Sequence, residues 1–243
     1  MTPTRLSRQD LLRVFGLGIG SVALSALLRR VDRASAQQGG DRIALPEPSQ
    51  DGETAVEAAL ADRRSRRTYG EESLRLAALG QLLWAAQGIT APSTGHRAAP
   101  SAGATYPLEL YVVVGDPGVS GLDSGVYHYD VQTHELTRLA TGNRQPELRA
   151  ATLDQEWVGQ GAIDVVVCAD DERTTAKYGP RGKERYVPME AGHVGENLYL
   201  QAESLDLAMV TVGAFRDERV RELVDAPATQ RPLYVIPVGS RPD

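Results

Sequence analysis

Apolar residues recur at helical spacing along much of the chain, which has 243 residues. The spacing predicts a helix over Thr54–Arg64, with Thr54 as its N-cap, and a second helix over Leu74–Gln87 that ends at Gly88. The same pattern predicts three further helices, which are Asn143–Gln155, Glu190–Leu207 and Asp217–Val224. Each of these helices has an apolar face to bury, so the pattern indicates a folded globular domain.

Short runs rich in β-branched and other apolar residues predict the strands. Leu108–Gly115 alternates and then becomes fully apolar, and Gly125–Leu139 predicts a β-hairpin with its turn near Gln132 and Thr133. Three further strands are predicted, which are Ala162–Ala169, Ala208–Val212 and Leu233–Val238. This order of elements is not the strict alternation of a doubly wound sheet. No GxGxxG follows a strand and no Walker A motif is present, so neither a Rossmann nor a P-loop site is predicted.

Two stretches lack both patterns. Asp41–Thr54 is rich in Pro, Gly and acidic residues and is predicted to be a linker, and Ala91–Tyr106 is predicted to be a long loop. The sequence therefore predicts one domain over residues 54–243, behind a linker over residues 37–53.

The first 36 residues have the three-part pattern of an export signal. A region with three Arg precedes an apolar run over Val14–Leu28, and Ala34–Ala36 supplies an A-x-A cleavage pattern. Ser7–Arg13 resembles a twin-arginine motif in which Gln9 replaces the second Arg. The apolar run has about 15 residues, fewer than the ~20 that span a bilayer. We predict an exported protein of the periplasm or cell envelope, with an uncleaved membrane anchor and a cytoplasmic helix as the alternatives.

Composition limits the classes of partner and metal site. The net charge is −6 for the whole chain and −10 without residues 1–36, so the sequence gives no support for nucleic-acid binding. The single cysteine, Cys168, lies in a predicted buried strand, and the four His are not at metal-binding spacing. We therefore predict no intrachain disulfide and no metal site.

An arginine-rich segment directly follows the first predicted helix. If the chain is extended there, Arg63, Ser65 and Arg67 project to one side. Two guanidiniums and a hydroxyl suit a phosphate or a ribityl chain, because Arg forms bidentate charge-assisted hydrogen bonds. The alternative, which the spacing alone favours, is a solvated basic surface or ion pairing with Glu71 and Glu72.

Three other segments could contact a ligand through backbone groups or a charged side chain. A loop of small residues before a strand would let a flat ligand approach the backbone closely; its members are Pro100, Ser101, Ala102, Gly103 and Ala104. Gly213 and Ala214 follow a strand, and their N–H groups would face a ligand edge. Arg241 follows the last strand and would reach a phosphate. The alternatives are a plain connecting loop, a tight turn and a frayed terminus.

Lys177 and Tyr178 form a candidate proton-transfer pair. The chain has two Lys against 24 Arg, so a Lys in this background is a mild indication of function. A mobile, charged surface loop is the alternative, and the segment taken alone favours it.

Five motifs in order resemble the nitroreductase family, and its SagB-type branch, related to azoline dehydrogenases, most closely. The motifs are Arg-Arg-Ser-x-Arg, Pro-Ser-Ala-Gly-Ala-x-Tyr-Pro, Lys-Tyr-Gly-x-Arg-Gly, Ala-Gly-His-x-x-x-Asn-Leu-x-Leu-x-Ala-Glu and Pro-Leu-Tyr-Val-x-Pro-Val-Gly. Each motif is weak alone, but the order and spacing are specific and cover residues 54–241. The resemblance implies an α+β fold with a central, mostly antiparallel sheet flanked by helices, and a homodimer with FMN at its interface.

The resemblance also implies a role for each candidate residue in an FMN-dependent oxidoreductase that transfers hydride through flavin N5. Arg63, Ser65 and Arg67 would hold the phosphate and ribityl chain, with Arg241 returning to the phosphate. Residues 100–104 would line the flavin ring, in part from the partner subunit. Gly213 and Ala214 would lie near N5, and Lys177 and Tyr178 would be catalytic.

Two departures from the family leave the reaction open. The wider family often has Asn where Ala104 stands, and azoline dehydrogenases usually act in the cytoplasm, which an export signal fits poorly. A small-molecule or peptide substrate, with NAD(P)H or a quinone as electron partner, is expected. The alternatives are an azoline dehydrogenase acting on a modified peptide and a flavin-binding protein without turnover.

Overall fold

The computed structural model describes residues 41–242, so the export segment predicted for residues 1–36 lies outside the described residues. The strands are β1 Arg42–Ala44, β2 Leu74–Arg75, β3 Ile89–Ala91, β4 His96–Arg97, β5 Leu108–Val114, β6 Val119–Ser120, β7 Gly125–Asp130, β8 Glu135–Thr141, β9 Ile163–Asp170, β10 Leu207–Met209 and β11 Gln230–Ser240. The helices are α1 Val56–Asp62, α2 Leu76–Gln87, α3 Gln145–Ala151, α4 Asp171–Tyr178, α5 Val187–Ser204 and α6 Asp217–Leu223. A 3₁₀ turn covers Ala102–Ala104 and a π-helical turn covers Gly182–Tyr186.

A seven-stranded sheet forms the centre of the fold. Its strand order is β1-β8-β7-β5-β9-β11-β10. Every neighbouring pair is antiparallel, which confirms the predicted antiparallel α+β class. Within residues 41–242, no helix combines the length and apolar character needed to cross a membrane.

Helices cover both faces of this sheet. In β5, Leu110 and Val112 belong to the cluster that includes α2 and α5, whereas Tyr111 and Val113 belong to the cluster that includes α3 and α6. Successive strand side chains point to opposite faces, so a strand covered on both faces needs an apolar residue at every position. This explains why the strand pattern of β5 becomes continuously apolar.

The segment predicted to be a linker contains a strand near its beginning. β1 pairs with β8, and the following Leu45 is buried and donates its N–H to the His134 carbonyl at 3.1 Å. Residues 42–45 therefore belong to the folded domain, although the sequence predicted that the domain starts at residue 54. The density of Pro and Gly around so short a strand hides its pattern.

Helix bounds also differ from the predictions. α1 begins at Val56 after Ala55, without a side-chain cap from Thr54. Leu74 and Arg75 form the short strand β2, which pairs with β6, so α2 begins two residues later than predicted. α2 ends at Gly88 as predicted, although Gly88 is not left-handed; a Cβ there would collide with Trp84.

Other segments gain structure that the sequence did not predict. The predicted long loop overlaps the hairpin β3–β4, whose first strand begins two residues before it. Residues 171–178 form α4, so Lys177 and Tyr178 lie on a helix and not on a mobile surface loop. α5 begins at Val187, with Pro188 in its first turn, where proline is favoured because its missing N–H needs no partner. The helix predicted over residues 143–155 is limited to α3.

A buried carboxyl lies in the middle of the fold. Asp164 in β9 is fully buried, and burial raises its pKa to about 7. The amide of Gln145 donates to it at 3.0 Å, and the N–H of Gly159 donates at 3.3 Å. These hydrogen bonds offset only part of the cost of burying the charge.

We predict that Asp164 makes the protein less stable as pH rises. The unfolded carboxyl releases its proton near its ordinary pKa of 3.8, whereas the folded one keeps it to about 7. The free energy of unfolding should therefore fall by roughly 4 kcal/mol between these pH values. Urea unfolding at pH 4 to 8 measures this slope. Asp164→Asn should flatten it, while the exposed control Asp225→Asn should keep it; an unchanged slope in Asp164→Asn would contradict the assignment.

Candidate active site

Residues 63–67, here the arginine segment, run in extended form from the end of α1 along the edge of the sheet. The N–H of Arg66 donates to the Met209 carbonyl at 2.9 Å, and slightly later the N–H of Gly70 donates to the Ser240 carbonyl at 3.0 Å. These backbone bonds hold the segment against the ends of β10 and β11. In an extended segment, successive side chains point to opposite sides of the backbone.

Side chains of the arginine segment alternate as that geometry requires. Ser65 Oγ lies 2.8 Å from the Tyr199 hydroxyl, and the Arg63 guanidinium lies 5.2 Å from the centroid of the Tyr199 ring. The Arg67 guanidinium lies 5.2 Å from the Trp157 ring. Arg66 turns the other way and pairs with Glu203 at 3.3 Å. Arg63 and Ser65 thus share their contact with Tyr199, and the extended geometry places Arg67 on the same side.

Both guanidiniums on that side are accessible to an anion. Arg63 Nε lies 3.7 Å from Glu196 Oε1, and both side chains are more than a third exposed, so this ion pair is weak. Arg67 has no ion pair among residues 41–242. The predicted pairing with Glu71 and Glu72 is likewise absent from the described part of the chain; the carboxylates that contact the segment come from α5.

Residues 211–214 lie next to the same side chains. The N–H of Thr211 donates to the Tyr199 hydroxyl at 3.1 Å, and Gln155, close in sequence to Trp157, donates to the Ala214 carbonyl at 2.8 Å. Gly213 and Ala214 are exposed, and their N–H groups donate no hydrogen bond within residues 41–242. Two backbone donors therefore remain available beside the arginine segment.

Arg241 is held elsewhere. Its guanidinium lies 2.6 Å from Glu203 and 2.9 Å from Asp206, so it shares the Glu203 carboxylate with Arg66. This excludes a frayed terminus at Arg241. It also means that the structure does not bring Arg241 into the set formed by Arg63 and Arg67.

The loop over residues 100–106, here the glycine loop, has an unusual backbone. Gly103, Ala104 and Tyr106 have φ values of 60°, 54° and 45°, in the left-handed region that disfavours residues with a Cβ. Ser101 Oγ accepts the N–H of Tyr106 at 2.9 Å, and His193 Nδ1 donates to the Pro100 carbonyl at 3.1 Å. These hydrogen bonds stabilise a conformation that costs about 1–3 kcal/mol per strained residue.

Lys177 and Tyr178 converge on the glycine loop. Lys177 Nζ donates to the Gly103 carbonyl at 3.3 Å and lies 5.5 Å from the Tyr178 ring centroid. A Cβ at position 103 would displace Lys177 Nζ and the Tyr178 hydroxyl, and the φ of 60° there also favours glycine. Tyr178 in turn stacks edge-on against Tyr186 at 5.0 Å. The structure thus joins two features that the sequence separates by more than 70 residues.

One helix connects the two groups of residues. On α5, His193 contacts the glycine loop, Glu196 pairs with Arg63, and Tyr199 contacts Ser65. The first and last of these positions are six residues apart, or about 9 Å along the helix axis. Sequence reasoning singled out the motif that contains His193 but assigned no contact to any of the three. Their roughly helical spacing of three was the available signal.

Comparison with known proteins identifies the family and the fold. The sequence profile of the Nitroreductase family matches residues 60–240. The chain belongs to the nitroreductase family. It is 42% identical to MJ1384 of Methanocaldococcus jannaschii, which is assigned to the nitroreductases, over 83% of this chain and 98% of that protein. The protein is therefore a nitroreductase-family oxidoreductase.

The likeness extends to the SagB-type branch and to a solved structure. This nitroreductase-family chain is 30% identical to McbC, a microcin B17-processing protein of Escherichia coli, over 59% of this chain and 54% of that protein. The fold matches a nitroreductase-like protein of Ralstonia eutropha with a TM-score of 0.73 and 26% identity, covering 85% of this chain and 92% of that one. The resemblance to the nitroreductase family and its SagB-type branch is confirmed.

Proposed function

We propose that this protein is an FMN-dependent oxidoreductase that uses hydride transfer through flavin N5. The observation that supports this most is the side shared by the arginine segment and residues 211–214, with two accessible guanidiniums, a hydroxyl and two unused backbone donors. A phosphate with a polyhydroxylated chain and a heteroaromatic ring needs donors of these three kinds. Membership of a flavin-using family independently supports FMN as the cofactor.

The donor set fits FMN, with one change to the expected roles. Arg63 and Arg67 would bind the phosphate and Ser65 the ribityl chain, while the N–H groups of Gly213 and Ala214 would lie near N5. Arg241 would have to leave both Glu203 and Asp206 to join them, so we assign it to stabilising the arginine segment through Glu203.

The flavin-ring wall and the subunit partner form the second part of the proposal. Pro100 to Ala104 would line the ring, in part from the partner subunit of a homodimer. An open groove of about 960 Å³ between α1, α2 and α5, with Trp84 and Leu200 in its lining, offers apolar surface for a second copy, and Val56 on α1 is exposed beside it. A monomeric mass in static light scattering would contradict the dimer.

Lys177 and Tyr178 would act on the substrate. FMN, when bound, supplies the two-electron chemistry. The ammonium of Lys177, fixed by the Gly103 carbonyl, would hold an anionic or carbonyl oxygen of the substrate, and the hydroxyl of Tyr178 would give or take a proton. Export of the protein to the periplasm or cell envelope by residues 1–36 belongs to the same proposal.

Replacing Arg63 and Arg67 together by Ala should weaken FMN binding by about 100-fold, because each removes a charge-assisted hydrogen bond to the phosphate. Titration of the apo protein with FMN, followed by flavin fluorescence, measures the change. Arg64→Ala is the matched control, since Arg64 is exposed and, among residues 41–242, its guanidinium donates hydrogen bonds only to the carbonyls of Ala61 and Arg63. Equal affinity in the double variant and the control would overturn the phosphate assignment.

Replacing Lys177 by Ala should leave FMN affinity unchanged and lower kcat by about 100-fold or more, the usual size of the loss when a donor that stabilises negative charge on a substrate oxygen is removed. Steady-state turnover with a screened donor and acceptor measures this. Lys183→Ala is the control, because Lys183 is the other Lys of the chain and pairs with Asp171 at 3.5 Å. Unchanged kinetics in Lys177→Ala would show that Lys177 is a surface residue without a catalytic role.

A second candidate function is an azoline dehydrogenase acting on a modified peptide. The similarity to a microcin-processing protein and the Lys177–Tyr178 pair favour it. Reduction of the flavin by NAD(P)H and reoxidation by a quinone or a nitroaromatic compound would favour a general reductase. Oxidation of a thiazoline peptide would favour the dehydrogenase, and a flavin that no donor reduces would favour a binding protein without turnover.

A further inference from the structure

Two cations of α4, one helical turn apart, attach this helix to the glycine loop. Lys177 Nζ donates to the Gly103 carbonyl at 3.3 Å, and Arg173 Nη1 donates to the Tyr106 carbonyl at 3.1 Å. Residues four positions apart lie on the same face of a helix, so both cations point to the loop. Lys177 is the candidate catalytic residue, whereas Arg173 has no part in the proposed reaction.

The Arg173 guanidinium is also fixed to the central sheet. Its Nη2 atom lies 2.5 Å from Glu109 Oε1 in β5, and its Nε atom lies 3.4 Å from Asp170 Oδ2 at the end of β9. The other oxygen of the Glu109 carboxylate accepts from His128 Nε2 of β7 at 2.8 Å. Burial would raise the pKa of Glu109, but the hydrogen bond from His128 and the charge of Arg173 keep it below its ordinary value. An ionised carboxylate of the sheet therefore anchors the guanidinium.

Arginine suits this link between sheet and loop because of its shape. A guanidinium presents five N–H donors in a planar fork, so Arg173 reaches the Tyr106 carbonyl and two carboxylates at once. An ammonium has its three donors on one atom. The side chain of Arg173 is 38% exposed and that of Glu109 is 16% exposed, so solvent screens the pair only in part.

The carbonyl that Arg173 binds belongs to a strained residue. Tyr106 has a φ of 45° and closes the turn that contains Gly103 and Ala104, which are left-handed too. Such a conformation persists only when the surrounding contacts fix it. Without the hydrogen bond from Arg173, the turn would relax toward less strained backbone angles. The Gly103 carbonyl, and the Lys177 ammonium that it positions, would then move with the turn.

We propose that Arg173 is a positioning residue of the candidate active site, which is anchored on Glu109 and holds the glycine loop and thereby the ammonium of Lys177. The inference rests on the proposed function only for the role of Lys177 in turnover. The hold on the loop is a property of the chain, and hydrogen exchange measures it whether or not flavin is bound.

Amide hydrogen exchange of the purified protein, with and without added FMN, tests the hold on the loop. The amides of residues 104–106 donate hydrogen bonds within the turn, and in Arg173→Gln they should exchange about tenfold faster. The contact between the Thr105 and Thr174 hydroxyls at 2.8 Å remains, so α4 itself should keep its protection. Glu109→Gln should give the same local change from the sheet side, and the double variant should add little to either single one.

The matched control is Arg219→Gln, which removes an exposed arginine from α6 and should leave exchange at residues 104–106 unchanged. Unchanged exchange at these residues in Arg173→Gln, or equally faster exchange over the whole chain, would overturn the inference. Independent, additive effects of the two single variants at Arg173 and Glu109 would overturn the role of Glu109 as the anchor.

Turnover tests the link to Lys177. In Arg173→Gln, kcat should fall about tenfold with KM and FMN affinity nearly unchanged, because the ammonium is misplaced while the binding groups remain. In the Lys177→Ala background the same substitution should cost little further activity, since it acts through Lys177. An unchanged kcat, or a full tenfold loss in that background, would overturn the link. A protein that binds no flavin would refute the proposed function, while hydrogen exchange would still decide whether Arg173 holds the loop.

Discussion

The packing of α5 against the sheet is the constraint on which the candidate site depends. Val194 and Leu198 are fully buried in the core cluster that includes β5 and β9. With the helix fixed there, residues at other positions around it reach the glycine loop, the arginine segment and Thr211. A shift of α5 would therefore displace all three at once, which makes the site a property of the core as much as of its own loops.

Some arginines near the candidate site are paired with carboxylates and others are free to bind an anionic ligand. Glu203 pairs with Arg66 and Arg241, and these two cations hold the backbone near the sheet edge. Arg63 and Arg67 are left with a weak partner or none among residues 41–242. The net charge of the protein is negative, but these two accessible guanidiniums give the site a local positive charge, which a bound phosphate would neutralise.

Elements with a long, regular pattern could be predicted from sequence, and elements set by tertiary contacts could not. β5, β9 and the β7–β8 hairpin follow from their apolar runs and turn. β1 has only three residues, and the pairing with β8 that defines it is non-local. α4 is mostly polar, so its helical form depends on its capping residue Asp170 and on its contacts rather than on an apolar stripe.

In the candidate site, too, features set by local chain geometry could be predicted, and features set by tertiary contacts could not. The projection of Arg63, Ser65 and Arg67 follows from strand geometry alone. The contact between Lys177 and Gly103 could not be derived, since nothing local links residues 74 positions apart. Arg241 is predicted to reach the phosphate because it follows the last strand, and the resemblance implies the same role. The two carboxylates that hold it instead come from α5 and the turn after it.

The absorption spectrum of the purified protein, with identification of the small molecule released on denaturation, tests the central claim most directly. The account predicts the two visible bands of an oxidised flavin, or their appearance as bound FMN after FMN is added, and release of FMN in amounts equal to the chain. A colourless protein that binds no added FMN would contradict it.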